Sequence, residues 1–162
     1  MKKLLAVLCT LFFAGLLPAQ GVYELWGMTY RGGAHNGGVI FRMDSAANNF
    51  QLKYEFDADN IGSEAPHVDL AEYNGKFFGT TSRGGDNDAG VIFEWDPATN
   101  IYTKKIDMSP ANGQYSSGGL TLYNGKFYGT TESGGANDNG VIFEWDPATN
   151  IYTKKIEMGE VF

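Results

Sequence analysis

The run "GVIFEWDPATNIYTKKI" occurs twice without a change, at Gly90–Ile106 and at Gly140–Ile156. Extended outward, the identity becomes a match between Tyr73–Ile106 and Tyr123–Ile156 with five differences: Phe78/Tyr128, Ser82/Glu132, Arg83/Ser133, Asp86/Ala136 and Ala89/Asn139. A third, diverged copy, "WGMTYRGGAHNGGVIFRMDSAANNFQLKYEF", begins at Trp26. It aligns at a spacing of 52 instead of 50, with the two extra residues placed near Tyr54-Glu55-Phe56. A fixed period of this size specifies a repeat architecture, in which each unit buries its faces on its neighbours. The units run over about 22–57, 58–107 and 108–158.

Local signals inside each unit are strand and turn. "YNGK" sets Asn-Gly between apolar runs, a hairpin signal because both turn residues need positive φ. "GVIFEW" and "IYTKKI" are rich in β-branched and aromatic residues, and "DPATN" between them reverses the chain. The "GG" pair separates "KFYGTT" from "GVIFEW". Each unit therefore reads as four antiparallel strands. Alternation puts Val91, Phe93 and Trp95 on one face and Ile92 and Glu94 on the other. Four short hairpin-linked strands per fifty residues make a β-propeller blade. The Gly and Thr of "YGTT" read as small residues suited to a crowded central axis.

The layout "GKFYGTTESGG…GVIFEWDPATNIYTKKI" resembles kelch repeats. More closely, "YGTTxxGGxxxxGVIFxxDP" resembles the bacterial extracellular Gloeo/Verruco (GloVer) repeat, from Trp26 to the C-terminus. The resemblance implies secreted or surface proteins with many copies and no assigned catalytic residues. The sequence departs from that pattern in that its residues hold three copies and no segment among them reads as a C-terminal sorting domain, so it does not establish a complete member. The fold expected is all-β: about three four-stranded kelch-like blades, some eleven strands, in an incomplete or open ring. Each terminal face, roughly 300 Å² from strand spacing and rise, matches the largest apolar patch a soluble monomer tolerates. Missing downstream sequence, a second copy of the chain or host strands would cover it. A fragment of a longer repeat protein is the reading favoured by sequence.

The first nineteen residues read as an export signal. Lys2 and Lys3 precede an apolar run from Leu4 to Leu17, and Ala19 offers a small residue for cleavage. Cys9, the single cysteine, sits inside that run, not at its end, so neither a lipid anchor nor an internal disulfide is expected in the mature chain. The expected location is extracellular or periplasmic, without membrane insertion after cleavage. Loss of the two lysines leaves ten basic against nineteen acidic residues, a net charge of −9. That charge argues against nucleic acid and against anionic membrane as partners.

In an up-and-down blade the "YNGK" and "DPATN" turns share one rim, while the Gly-Gly loops and inter-unit connectors share the other. Four of the five differences lie in the Gly-Gly loop, and the connectors differ almost completely. Two readings remain open: a recognition face on a constant scaffold, or drift in exposed loops. The rim candidates for a protein or carbohydrate ligand are Tyr30, Arg31, His35, Arg83, Asp86, Asn87, Asp88, Tyr115, Asn137, Asp138 and Asn139. The Asp/Asn loops offer oxygen to calcium but lack the spacing of a calcium loop and have the composition turns need anyway, so no cofactor is expected. His35 and His67 have no repeated partner. Trp95 and Trp145 read as core, and Glu94 with Asp96 is a carboxylate pair in sequence only. A non-catalytic binding module is expected. The alternatives are a secreted glycan-active enzyme whose catalytic loops lie elsewhere, or a self-associating structural piece.

Overall fold

A computed structural model describes residues 24–57, 63–66 and 69–159; the expected export signal and His67 lie outside them. Among the described residues there are twelve strands and no helix. Blade 1 holds β1 (Glu24–Thr29), β2 (Val39–Asp44) and β3 (Gln51–Glu55). Blade 2 holds β4 (Ser63–Pro66), β5 (Ala71–Tyr73), β6 (Lys76–Gly84), β7 (Val91–Asp96) and β8 (Ile101–Asp107). Blade 3 holds β9 (Thr121–Tyr123), β10 (Lys126–Thr130), β11 (Val141–Asp146) and β12 (Ile151–Glu157). Neighbouring strands are antiparallel, and the described strands form three separate open sheets. The molecule is an open stack of three propeller-type blades.

The turns form for the reasons the residues suggest. Asn74-Gly75 and Asn124-Gly125 take positive φ (50° and 79°, 50° and 77°), as a two-residue hairpin between right-twisted strands requires. At "DPATN" the Asp96 carboxylate accepts the Ala98 and Thr99 amides at 2.8 and 3.4 Å. Asp146 does the same with Ala148 and Thr149. These bonds, the Ala98 amide foremost, hold the Asp96 carboxyl below its usual range.

Two expectations are corrected. The inner strand of a blade is broken in two, because β4 and β5 lie along one edge of β6: Glu64 pairs with Arg83 and Glu72 with Phe77. In blade 3 the equivalent Gln114 bridges to Ser133. Much of what reads as a free connector is thus backbone-paired sheet. The two extra residues of the first unit also fall later than expected. Phe56, Met108 and Met158 each donate their amide to Gly38, Gly90 and Gly140 at 2.9 Å, so the 52-residue spacing persists through Phe56. Glu64 and Gln114 already stand fifty apart, which places the extra residues between Phe56 and Ser63.

The "GTT" motif has a different cause from axial crowding. Gly27, Gly79 and Gly129 lie opposite Phe41, Phe93 and Phe143 on the adjacent strand. A Cβ on Gly79 would stand 2.6 Å from Phe93 Cζ, so the glycine makes room for the ring. The threonine two residues on is a staple. Thr29, Thr81 and Thr131 donate their hydroxyls to the carbonyls of Arg31, Arg83 and Ser133. The same oxygens accept the amides of Val39, Val91 and Val141 at 3.0–3.2 Å.

One interblade contact is used twice. The Val91, Phe93 and Trp95 face packs on Ile40, Phe56 and Tyr54 of blade 1. The Val141, Phe143 and Trp145 face packs on Phe78, Ile92 and Met108 of blade 2. All of these except the half-buried Tyr54 are buried, each worth about 1.5–3 kcal/mol against exposure. Trp95 and Trp145 are core, as the sequence indicates.

Charged pairs flank the apolar stripe. Glu94 accepts Lys76 at 2.6 Å and Lys105 at 3.1 Å; Glu144 accepts Lys126 at 2.8 Å. Blade 1 inverts the pair, with Glu24 and Arg42 meeting at 2.6 Å. The hydrogen bond from Lys126, and then that from the Tyr128 hydroxyl, pulls the Glu144 carboxyl down from 4.5 to about 2. A carboxyl depressed on folding stabilises fully above its unfolded value and loses that contribution as pH falls through the folded one. The denaturant midpoint of the wild type should therefore drop more steeply than that of Glu144→Gln between pH 4.5 and about 2. Parallel curves across that window would contradict the pairing.

Candidate recognition rim

The rim carrying the Gly-Gly loops is built by a repeated turn. Asp88 and Asp138 sit at φ 50° and 54°, and each carboxylate accepts an amide four residues back, from Gly84 at 2.9 Å and Gly134 at 2.8 Å. Asn36 holds Gly32 in the same way at 3.2 Å. The acidic residue ending the outer strand closes the loop from below: Glu55, Asp107 and Glu157 accept the amides of Ala34, Asp86 and Ala136.

These bonds give several candidates structural work. Asp86 is engaged by Lys104 at 2.9 Å, and the Asn87 amide donates to the Met108 carbonyl at 3.0 Å. Asn137 is exposed. Asn139 occupies the position of Ala89, which is buried between blades 2 and 3, and is exposed at the end of its Gly-Gly loop on the outward side of blade 3. In blade 1, the Arg31 guanidinium lies 5.6 Å from the Tyr30 ring centroid, and His35 Nε2 approaches Asp57 at 3.4 Å. This set stands apart from the others. Among the described residues no three His, Cys, Asp or Glu side chains converge as metal ligands, and the carboxylates of Asp86, Asp88 and Asp138 are committed to Lys104 and to turn amides. Glu94 and Asp96 are likewise occupied by lysines and by a turn.

The seam between blades 2 and 3 does gather candidates. Tyr115 donates its amide to Ala89 of blade 2 at 2.9 Å, and its carbonyl accepts the Glu132 amide of blade 3 at 3.2 Å. It is held at φ 58°, a region bulky side chains rarely enter and which costs about 1–3 kcal/mol. The Arg83 guanidinium lies 5.8 Å from the Tyr115 ring centroid and 3.5 Å from Asp88. Beside them the Gln114 amide donates to Asp138 at 3.4 Å. Arg83, Asp88, Tyr115 and Asp138 are therefore one cluster drawn from two units. Gln114 and Glu132 join it and were missed. Glu132 stands at one of the five differences between the copies, and that was the available signal. The cluster sets the Arg83 guanidinium beside the Asp88 carboxylate and a half-buried aromatic ring, with Asp138 and Glu132 tied to the same segment through Gln114 and the Tyr115 carbonyl. It suits hydrogen bonding and stacking with a neutral or cationic ligand and disfavours an anionic one.

A stack of propeller-type blades with a loop-built rim defines a tandem-repeat protein. The Gloeobacter/Verrucomicrobia repeat matches residues 14–160, and the chain belongs to that family. No curated protein matches it.

Proposed function

We propose that this chain is an exported, non-catalytic recognition module that binds a neutral glycan or a protein segment on its loop-bearing rim. The observation that carries the reading is Tyr115, locked in a left-handed conformation between two blades with Arg83 set over its ring. Backbone strain retained at an aromatic, ligand-accessible position is a mark of preorganisation, and aromatic–arginine pairs are favoured recognition groups. Repetition also supports a binding role, since the turn chemistry of Asp88 recurs at Asp138 and Asn36. The test is a glycan array and a surface-peptide screen with the purified chain, followed by Arg83→Ala and Tyr115→Ala together. Loss of at least tenfold in affinity with unchanged thermal stability is expected. Full retention of binding by the double variant would remove the rim reading, and turnover of a polysaccharide by the chain would remove the non-catalytic one.

A further inference from the structure

We propose that two copies of the chain close head to tail into a six-blade ring, blade 1 of each docking on blade 3 of the other. The outward face of blade 1 repeats the pattern that blades 2 and 3 bury. Leu25, Phe41, Met43 and Phe50 hold the positions of Phe77, Phe93, Trp95 and Tyr102. Even the ring pair is kept: Phe41 and Phe50 stack at 5.6 Å as Phe93 and Tyr102 do at 5.2 Å. Leu25, Phe50 and Leu52 are 45%, 60% and 46% exposed. The outward face of blade 3 offers the other half of the contact. Tyr128, Ile142, Ile156 and Met158 stand where Phe78, Ile92, Ile106 and Met108 receive blade 3, and Ile156 and Met158 are exposed. The added Tyr128 hydroxyl does not oppose burial, because it donates to Glu144 at 2.7 Å.

A second copy fits better than another unit preceding blade 1. In blade 3, Tyr152 and Lys154 donate to the carbonyls of Asn112 and Ala111, in the connector arriving from blade 2. Blade 1 has Phe50 and Leu52 at those positions and no group to make either bond. It keeps the apolar contact and drops the two groups that read a connector, as suits a junction between separate chains. Area favours two junctions over one. Each face is about 300 Å², so a ring burying four faces reaches about 1,200 Å², the lower bound of a specific interface. A single back-to-back contact buries about 600 Å². Six blades also lie within the range at which propellers close.

The experiment is native mass spectrometry and light scattering of the exported chain, with Phe50→Glu and Ile156→Glu, both exposed sites whose folding is checked by circular dichroism. A dimer that each substitution alone converts to folded monomer, and that returns on mixing the two variants only as a heterodimer far weaker than the wild-type dimer, because one of its two junctions is intact, supports the ring. A monomeric wild type overturns it. A dimer indifferent to Ile156→Glu also overturns it, since that result marks a symmetric contact through blade 1 alone.

Discussion

Trp145→Ala should destabilise the chain by about 3–5 kcal/mol, the usual cost of removing a buried aromatic side chain. Trp145 is fully buried, stacked on Phe127 at 5.7 Å and tilted against Phe78 of the preceding blade at the same distance. Its indole N–H donates to Asn150 at 3.1 Å, and the Asn150 amide donates in turn to the Lys105 carbonyl of blade 2 at 3.2 Å. Truncation removes packing and one anchor of the interblade link together. For a domain near this size the melting temperature should fall by about 10 °C, measurable by scanning calorimetry. Trp95 is the internal control. It has the same neighbours in sequence and is also fully buried, but its indole nitrogen has no acceptor among the described residues. Trp95→Phe removes an orphaned donor and Trp145→Phe removes a satisfied one, so the second should cost about 1–2 kcal/mol more than the first. Equal costs would contradict this assignment.

Gly79→Ala is expected to cost about 2–3 kcal/mol, far beyond a surface substitution. The new methyl would meet Phe93 Cζ at 2.6 Å and Cε1 at 2.9 Å, and the Phe93 ring cannot retreat because Phe56 and Tyr102 lie against it at 5.5 and 5.2 Å. The discriminating measurement is a double-mutant cycle with Phe93→Leu, which shortens the obstructing side chain. Phe93→Leu alone destabilises. In the Gly79→Ala background its cost should shrink by about 1 kcal/mol or more, since neighbours in contact couple on that scale. Additive costs in urea denaturation would show that Gly79 is needed for some reason other than the ring.

Much of the fold was legible because its causes are local. Asn-Gly turns, strand alternation and the apolar faces depend on residues a few positions apart, and the period of fifty supplied the stacking. The broken inner strand was not legible. β4 is held by pairing to the far end of β6, and "SEAP" carries no strand signal of its own. The role of "GTT" was misread for a related reason, because Gly79 answers to Phe93 on the next strand and Thr81 to the Val91 amide. At the seam between blades 2 and 3, Arg83, Asp88, Tyr115 and Asp138 can be named from the sequence, and Gln114 and Glu132 cannot. Asp88 and Asp138 advertised ligand chemistry while serving turns. The seam arose from Tyr115 and Arg83, which lie in different units and meet through the stack.

The inverted Glu24–Arg42 pair bears on how a chain with near-duplicate segments sorts itself while folding. Strands of blades 2 and 3 are so alike that exchange between them changes little, and misassembly of this kind is the characteristic error of repeat proteins. An exchange involving blade 1 is different. Lys76 or Lys126 beside β2 would face Arg42, and Glu24 beside β7 or β11 would face Glu94 or Glu144. Each wrong hairpin juxtaposes like charges, a penalty of a few tenths of a kcal/mol or more. One reversed ion pair thus labels the blade 1 hairpin as distinct from its twins and penalises its exchange with either of them.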